Sequence, residues 1–297
     1  MNQREPVELY RSALIVPVSE MRYVRRAGSC GADSITLDLE DGVAESEKDG
    51  ARLRLPEAIA LAGAGGSRVE VRVNHPLGQL VRDIEAAVLP GVSGLRLAKV
   101  ESAAEVRRVS EFISELETQR GLPEGGIRLH ALIESPAGLH HVRDIASADP
   151  RLATLGLGAI DFAAACGFSP TPENLCTPCQ TLLFAARSAG IRPRGLVGSL
   201  ANYKDLVAFR ELVRRSREMG FTEGGAIHPS QIPVLNEEMG LTSEEISEAR
   251  EIVALAEENF SQGRGTFSYR GRMVDKPVVI AARQLLVSVD AKQTTAF

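Results

Sequence analysis

Polar side chains alternate with apolar ones in two early runs of the sequence. Asp38 and Glu40 alternate with Leu37 and Leu39 in one run, and Arg72 and Asn74 alternate with Val71 and Val73 in a later run. A period of two is typical of a β-strand with one apolar face. In a barrel the apolar set would face the helices, and the polar set would turn inward near the carboxyl ends of the strands, where barrel active sites are built. The spacing therefore predicts an active site made from these side chains.

Most of the other apolar runs also end in a polar residue. Each such residue alone is more often structural than catalytic, because strand ends meet water and helix caps. Glu40 and Asp41 can cap the helix that follows, and Arg72 can simply pair with Glu70 or Asp38. His228 before Pro229 can be a satisfied strand end. The recurrence carries more weight than any single position, and the further polar strand ends are Lys99, Glu101, Glu134, Asp161, Ser199 and His228.

The elements that must position these residues follow a regular order. Apolar runs bounded by turn residues alternate with amphipathic stretches, which is typical of βα units around a parallel sheet. Eight such units favour a (β/α)8 TIM barrel over a doubly wound sheet. The predicted strands are Ser12–Pro17, Ser34–Leu39, Val69–Val73, Gly94–Ala98, Arg128–Ile133, Leu152–Gly158, Arg194–Gly198 and Gly224–Ile227.

The pattern changes after the eighth unit. Thr242 and Glu245 form a capping-box pattern ahead of a helix with one apolar face. A Gly-Arg-Gly sequence at 263–265 then breaks the chain before a short strand-like piece and a terminal helix from Pro277. We therefore predict a TIM-barrel domain over residues 1–240 and a C-terminal helical lid segment over residues 241–297.

Length and composition limit the classes of protein that remain. The chain has 297 residues, of which 44% are hydrophobic and 25% charged, as in globular proteins rather than disordered ones. Its net charge of −5 opposes binding to phosphate backbones or anionic lipid, so neither nucleic acid nor a membrane is an expected partner. The longest early apolar run, Ala13 to Val18, is too short for a signal peptide or a membrane span. We expect a cytoplasmic protein.

Other familiar motifs are incomplete. Four cysteines in a chain of this length do not form a disulfide framework. Cys176 and Cys179 form a single C-x-x-C without a second pair, so a structural zinc site is not expected. Gly156 and Gly158 lack the third glycine of a dinucleotide fingerprint, so a nicotinamide cofactor is not expected either. The polar strand ends remain the candidate site.

In these residues the sequence resembles the family of citrate lyase beta subunits and malyl-CoA lyases, which are CoA-ester lyases related to HpcH/HpaI aldolases. The resemblance covers nearly the whole chain. Each motif is weak alone, but their common order is a strong signal. The motifs are Arg11-Ser12 with Val16-Pro17, Leu37-Asp38-Leu39-Glu40-Asp41, Arg72-Val73-Asn74, Lys99-Val100-Glu101, Ile133-Glu134-Ser135, Gly158-Ala159-Ile160-Asp161, Ala226-Ile227-His228-Pro229-Ser230-Gln231 and Met273-Val274-Asp275-Lys276-Pro277.

The resemblance implies a Mg2+ ion with Glu134 and Asp161 as its protein ligands, in keeping with the preference of hard cations for carboxylate oxygen. Arg72 would grip a 2-oxo acid and stabilise its negative oxygens. An alternative is that Glu134 and Asp161 are acids at helix N-termini, where the helix dipole favours them. The residues that would support the metal and substrate are Asp38, Glu40, Asp41 and Lys99.

The implied reaction is the reversible cleavage of a 3-hydroxyacyl-CoA of the malyl, citramalyl or citryl type into a 2-oxo acid and acetyl-CoA. Preorganised positive groups would stabilise the charge that moves between the hydroxyl oxygen and the thioester enolate. A class II aldolase acting on a free hydroxy-oxo acid and a non-catalytic barrel subunit are the alternatives. The sequence does not decide the acyl group, the direction of the reaction or the association with other subunits, because pocket shape decides small differences in substrate.

The resemblance also assigns a role to the C-terminal segment. Asp275 matches the position of an acid/base residue that a lid places over the barrel of a neighbouring subunit, which implies a homotrimer or a multiple of one. Alternatively, Asp275 caps the terminal helix, since it lies just ahead of Pro277. That helix is predicted to share one face among Val278, Ala282, Leu285 and Val289.

The first helix offers Arg22, Arg25 and Arg26 near the barrel mouth as candidates for the phosphates of CoA. A solvated helix face explains these arginines equally well.

Three positions depart from the usual pattern of the family. Val18 stands where a glycine commonly follows the Val-Pro pair, Ile160 replaces a frequent acid, and Ala165 replaces an aspartate often seen beyond Asp161. These differences leave both implied metal ligands in place and bear on the choice of substrate and the surroundings of the metal. They indicate a divergent subgroup.

Overall fold

A computed structural model describes the backbone of residues 10–294 and the side chains of residues 10–287. The described chain forms two compact units, one spanning Tyr10–Met239 and one that begins at Gly240. Within residues 10–294, no helix is long and apolar enough to cross a membrane.

The first unit is built on a parallel sheet of eight strands. They are β1 Ser12–Pro17, β2 Ser34–Asp38, β3 Arg68–Val73, β4 Val92–Leu97, β5 Arg128–Ile133, β6 Leu152–Leu157, β7 Arg192–Arg194 and β8 Gly224–Ala226. Each strand pairs in parallel with its neighbour in sequence from β1 to β7, and β1 also pairs with β8. A bridge between Arg194 and Glu223 links the β7 and β8 sides, which makes the barrel nearly closed.

Helices follow the strands around the sheet. They are α1 Met21–Ala27, α2 Lys48–Gly63, α3 Leu77–Ala87, α4 Ala103–Gln119, α5 Pro136–His140, α6 Val142–Ala146, α7 Ala159–Cys166, α8 Pro172–Ser188, α9 Leu206–Met219 and α10 Ile232–Glu238, with short 3-10 turns at Glu45–Glu47 and Pro229–Gln231. The apolar strand residues and one stripe of each long helix form a single core, in which Leu37, Leu95 and Ile113 are fully buried. The predicted (β/α)8 barrel is confirmed.

The seventh strand differs from its predicted bounds. The sequence predicts Arg194–Gly198, whereas β7 spans Arg192–Arg194. Gly195 has a φ of +139°, a conformation that ends the strand and that only glycine adopts readily. The true strand has Pro193 between two arginines, a composition that strand preferences disfavour. The prediction for β7 is therefore wrong. Pairing with Thr154–Gly156 of β6, which the local sequence does not reveal, sets the bounds of the strand.

The inward alternation predicted for β2 and β3 holds for Asp38 and Arg72, which are paired in register and contact each other. It fails for Asn74, just beyond β3. The Asn74 amide donates to Asp83 on α3 at 2.7 Å, and its oxygen accepts from Lys48 Nζ on α2 at 2.7 Å. Asn74 therefore joins the strand end to two helices instead of lining the interior.

The C-terminal unit contains two helices and a hairpin, namely α11 Ser243–Ser261, β9 Phe267–Tyr269, β10 Arg272–Val274 and α12 Lys276–Thr294. The predicted capping box is confirmed, because Glu245 N–H donates to the Thr242 hydroxyl at 3.1 Å and Thr242 N–H donates to the Glu245 carboxylate at 2.7 Å.

Helices α11 and α12 pack through small and branched side chains, including Ala256 and Ala282. The predicted apolar face of α12 is wrong at its first position, since Val279 is buried and Val278 is exposed. The predicted positions Ala282 and Leu285 do lie on the packed face. The side chain of Val289, assigned to the same face, lies outside the described residues.

Candidate active site

An ion pair between β2 and β3 forms the centre of the site. Arg72 donates from Nε and Nη2 to the two carboxylate oxygens of Asp38, each at 2.7 Å. Asp38 also accepts the backbone N–H groups of Glu40 and Gly42, both at 2.9 Å. Because every lone-pair direction of the buried carboxylate is in use, Asp38 fixes the plane of the guanidinium.

The third nitrogen of Arg72 faces a second acid, with Nη1 3.0 Å from Oε2 of Glu40. Burial alone would lower the pKa of Arg72, but the charges of Asp38 and Glu40 raise it above its ordinary value. A guanidinium carries five N–H groups, and these contacts occupy three of them. Arg72 therefore stays charged and keeps two donors for a ligand in the cavity that it lines.

Lys99 connects the ends of β4 and β5. Its backbone φ of +54° is uncommon for a residue other than glycine. In this conformation its N–H donates to Oε2 of Glu134 at 2.8 Å, while its Nζ lies 2.5 Å from Oε1 of Glu40 and 3.4 Å from Asp41. Burial opposes the charge of Lys99, yet the contact with Glu40 raises its pKa above the ordinary value. Lys99 thus ties Glu134 to the Arg72 centre.

Glu134 follows β5 directly and is buried against β6. A Cβ atom placed on Gly158 would lie 2.3 Å from Oε1 and 2.5 Å from Cγ of Glu134, so the carboxylate occupies space that only glycine leaves. Burial, and then the charges of Asp161 and Glu40, raise the pKa of Glu134 to about 7, while Arg72 opposes the rise. The carboxylate is crowded by negative charge.

Asp161 lies in the first turn of α7, half-buried, and it accepts no hydrogen bond from the part of the chain that is described. The helix-terminus alternative suits Asp161, since the α7 dipole acts on it there. It does not suit Glu134, because Ser135 caps α5 by accepting the Gly138 N–H at 3.1 Å. Glu134 instead turns to Lys99 and the interior.

The two acids fit a hard divalent cation. Glu134 and Asp161 line the same cavity and interact electrostatically, and within the described residues neither carboxylate forms a salt bridge. Across residues 10–294, no group of three or more His, Cys, Asp or Glu side chains could hold a metal ion. A cation here would rest on two carboxylates and complete its coordination with water or substrate oxygens, as Mg2+ commonly does.

The cavity has a volume of about 230 Å3 and extends from Arg72 into the barrel. Arg96, His130 and Arg194 line its inner part, and the sequence interpretation assigned none of them. Arg96 and His130 alternate with leucines and alanine in β4 and β5, as Asp38 and Arg72 do in their strands. The same period-of-two signal could have found them.

The remaining predicted residues lie away from these contacts. Arg22 and Arg25 are exposed on α1 and pair with Glu20 at 3.0 Å and Glu57 at 3.8 Å, and Arg26 is exposed nearby. These contacts are the ones expected if the three arginines simply form a solvated face of α1.

Asp275 belongs to the C-terminal unit. The Val278 N–H points at its carboxylate with a separation of 3.5 Å, and the Val279 N–H donates to its backbone oxygen at 3.2 Å. These contacts match the capping alternative for Asp275.

Comparison with known proteins identifies the class. The model of the HpcH/HpaI aldolase/citrate lyase family matches residues 11–229, which span the barrel strands. The chain belongs to this family, and it is a carbon–carbon lyase. The resemblance seen in the sequence motifs is confirmed.

Individual relatives match over nearly their full length. The chain is 34% identical to the citrate lyase subunit beta of Leuconostoc mesenteroides subsp. cremoris, covering 95% of this chain and 94% of that protein. It is 33% identical to the L-malyl-CoA/beta-methylmalyl-CoA lyase of Rhodobacter capsulatus, covering 91% of each. A crystal structure of the CitE protein of Mycobacterium tuberculosis with magnesium, acetoacetate and coenzyme A matches with a TM-score of 0.74 and 28% identity, over 95% of this chain and 98% of that one.

Proposed function

We propose that this chain is a Mg2+-dependent CoA-ester lyase that cleaves a 3-hydroxyacyl-CoA of the malyl, citramalyl or citryl type into a 2-oxo acid and acetyl-CoA, reversibly. The observation that carries the proposal is the meeting of Glu134, Asp161 and Arg72 at one cavity. The CitE protein crystallised with magnesium, acetoacetate and coenzyme A supports the choice of ion and substrate class.

Glu134 and Asp161 would hold the Mg2+ ion, which when bound withdraws electron density from the oxygens of a 2-oxo acid. The Lys99 N–H fixes one oxygen of Glu134. Gly158 leaves the room in which the other oxygen lies. The orientation of Glu134 is therefore set by β4 and β6 before a ligand arrives, which limits reorganisation during the reaction.

Arg72 would bind the oxo acid through the two N–H groups that Asp38 and Glu40 leave open. In the cleavage direction a base removes the hydroxyl proton, the bond between the carbinol carbon and the thioester α-carbon breaks, and the electron pair passes to the thioester enolate. Protonation of the enolate carbon gives acetyl-CoA. Arg72 stabilises the oxygen that carries negative charge as its proton leaves. Arg22, Arg25 and Arg26 are the proposed contacts of the CoA phosphates, and a cytoplasmic location stays a prediction.

We assign the proton transfer to Asp275 of a neighbouring subunit in a homotrimer, or a multiple of one. Replacing Asp275 with Asn should lower kcat by about 100-fold, because the amide cannot act as an acid or base. Asparagine caps helices as well as aspartate does, so the melting temperature and the Mg2+ affinity should stay unchanged. Steady-state assays and metal titration measure these quantities.

Asp205 provides the matched control, since it caps α9 by accepting the Ala208 N–H at 3.0 Å. Asp205→Asn should leave kcat unchanged. Full turnover by Asp275→Asn would restrict Asp275 to capping α12.

The reaction itself is tested by offering malyl-, citramalyl- and citryl-CoA with Mg2+ and following glyoxylate, pyruvate and oxaloacetate. We expect release from one of the three thioesters and none when EDTA removes the ion, since without the cation the two carboxylates would repel the negative charge that develops on the substrate oxygen. Cleavage of a free hydroxy-oxo acid without CoA would replace the proposal with an aldolase. Inactivity toward every compound would indicate a non-catalytic barrel subunit.

A further inference from the structure

The cavity ends on a polar floor that the proposed reaction does not use. Arg96, His130 and Thr154 stand in register on β4, β5 and β6, so their side chains point to the same face of the sheet as Arg72. Each lines the cavity. His130 precedes Glu134 by four residues on β5, which places it about 13 Å further into the barrel along the strand.

Glycines keep the passage to this floor open. Above Thr154, the inward positions of β6 and its end are Gly156 and Gly158, and both line the cavity. Neither glycine projects a side chain into the cavity, and the same cavity is lined by Arg72 and by Arg96. A ligand can therefore reach from Arg72 to Arg96.

Arg194 is largely paired at the floor. Its Nη1 donates to both oxygens of Glu70 at 2.9 and 2.8 Å, and its Nη2 lies 2.9 Å from Glu223. Glu70 also accepts the hydroxyl of Thr36 at 3.3 Å. Burial would raise the pKa of Glu70, but Arg194 and its cationic neighbours hold it well below the usual range. Glu70 is thus charged and already occupied by these donors.

Arg96 is left without an adequate partner. Its nearest carboxylate oxygen, on Glu70, is 3.6 Å from Nη2, which is beyond hydrogen-bond reach. Its side chain is 6% exposed, and within the described residues its Nη2 and the Nε of Arg194 are buried without any acceptor. Burial and Arg194 lower the pKa of Arg96 to about 10, so it keeps its charge at neutral pH. A buried guanidinium in this state calls for an acceptor with negative charge.

The two carboxylates at the floor are shared among several cations. Glu70 pairs with Arg194 as well as with Arg96, and Glu223 pairs with Arg194 and Arg192. His130 has its pKa lowered to about 3, chiefly by burial, and is neutral at physiological pH. Its Nδ1 pairs with the Thr154 hydroxyl at 2.9 Å. Three arginines therefore share two carboxylates, and water could meet the N–H groups of Arg96 but would leave the excess positive charge in place.

We propose that the floor of the cavity is a second anion site, in which Arg96 and the Nε of Arg194 bind a small carboxylate inside the barrel. The site is separate from Glu134 and Asp161. The carboxylate can be a free small acid or the far end of a dicarboxylic 2-oxo acid. The second source rests on the proposed function, whereas the site itself does not.

The site is tested with malonate and acetate in EDTA at constant ionic strength, by calorimetry and thermal shift. Arg96→Met should weaken carboxylate binding by about tenfold or more, because charge-assisted hydrogen bonds are lost. Arg107→Met removes an exposed guanidinium from α4 and should leave binding unchanged. Equal binding by wild type and Arg96→Met, or no binding by wild type, would overturn the proposal.

A second measurement keeps the test independent of the variant's folding. Crystals of the wild-type protein soaked in bromide should show an anomalous peak within hydrogen-bond distance of Arg96. Water alone at that position would overturn the proposal. Arg96→Lys, which keeps the charge but loses the planar fork, should retain weakened binding.

Binding measurements with Mg2+ present distinguish the two possible ligands, a free small acid and the far carboxylate of a 2-oxo acid. If the far carboxylate of an oxo acid is the ligand, Arg96→Met should weaken oxaloacetate binding about tenfold and leave pyruvate binding unchanged. If a free acid is the ligand, acetate should bind together with either oxo acid, and Arg96→Met should weaken only acetate. Loss of lyase activity in every assay would reject the proposed function without altering the measurements in EDTA.

Discussion

Replacing Glu134 with glutamine is expected to lower Mg2+ affinity by about 100-fold and kcat/KM by about 1000-fold, because one of two charged ligands becomes a neutral amide. The amide oxygen can still accept the Lys99 N–H, so the local backbone should be retained. Isothermal titration with Mg2+ and steady-state kinetics measure the two effects.

The same variant separates metal loss from misfolding. Burial and the charge of Asp161 raise the pKa of Glu134 from 4.5 to about 7, so the stability of the metal-free protein falls as the pH rises between these values, and the loss is complete above about pH 7. A neutral amide removes this loss, and the metal-free variant should melt no lower than metal-free wild type at pH 8. Glu115→Gln, on the exposed side of α4, is the matched control and should change nothing. Normal Mg2+ affinity in Glu134→Gln would exclude Glu134 as a ligand.

The contacts explain why several strands are needed for one binding site. Asp38 on β2 holds Arg72 on β3, and Glu40 links Arg72 to Lys99 at the end of β4. Lys99 in turn holds Glu134 beyond β5. The position of the Glu134 carboxylate therefore depends on side chains from several strand ends, linked by charged contacts and by the Lys99 N–H.

Much of this arrangement follows from period-two alternation in the sequence. Alternation placed Asp38 and Arg72 inside the barrel, and the order of motifs pointed to Glu134 and Asp161. Alternation predicted the wrong direction for the Asn74 side chain. Asn74 lies beyond the end of β3, where the backbone is no longer in the extended strand conformation. The partners Lys48 and Asp83 decide its direction, and both come from helices.

The floor of the cavity shows a different limit of sequence reasoning. Arg96 and His130 alternate with apolar residues, but Arg194 lies in the short Arg-Pro-Arg strand β7, which has no apolar alternation and resembles a surface segment. Arg194 belongs inside because Glu70, 124 positions earlier, accepts both of its Nη1 contacts. Pairings over such separations arise only from the closed barrel, so they do not appear in local patterns.

A single methyl group at Gly158 is expected to disable the site as strongly as loss of the carboxylate. In Gly158→Ala the new Cβ would lie 2.3 Å from Oε1 of Glu134, far inside van der Waals contact. The backbone cannot withdraw easily, because the Gly158 N–H donates to the Ile133 oxygen at 2.9 Å. Glu134 must therefore move and give up its bond from Lys99. We expect Mg2+ affinity and kcat/KM each to fall by about 100-fold or more.

The backbone conformation of Gly158 ensures that the substitution tests only the contact between the new Cβ and Glu134. Gly158 has φ −80° and ψ 89°, with no positive φ, so alanine adds no strain of the left-handed kind. Gly50→Ala, inside α2 with open space around the new Cβ, is the matched control and should stabilise the helix slightly without affecting metal binding. If Gly158→Ala bound Mg2+ as wild type does, the carboxylate of Glu134 would have a second productive orientation, and the narrow fit between β5 and β6 would not determine the metal site.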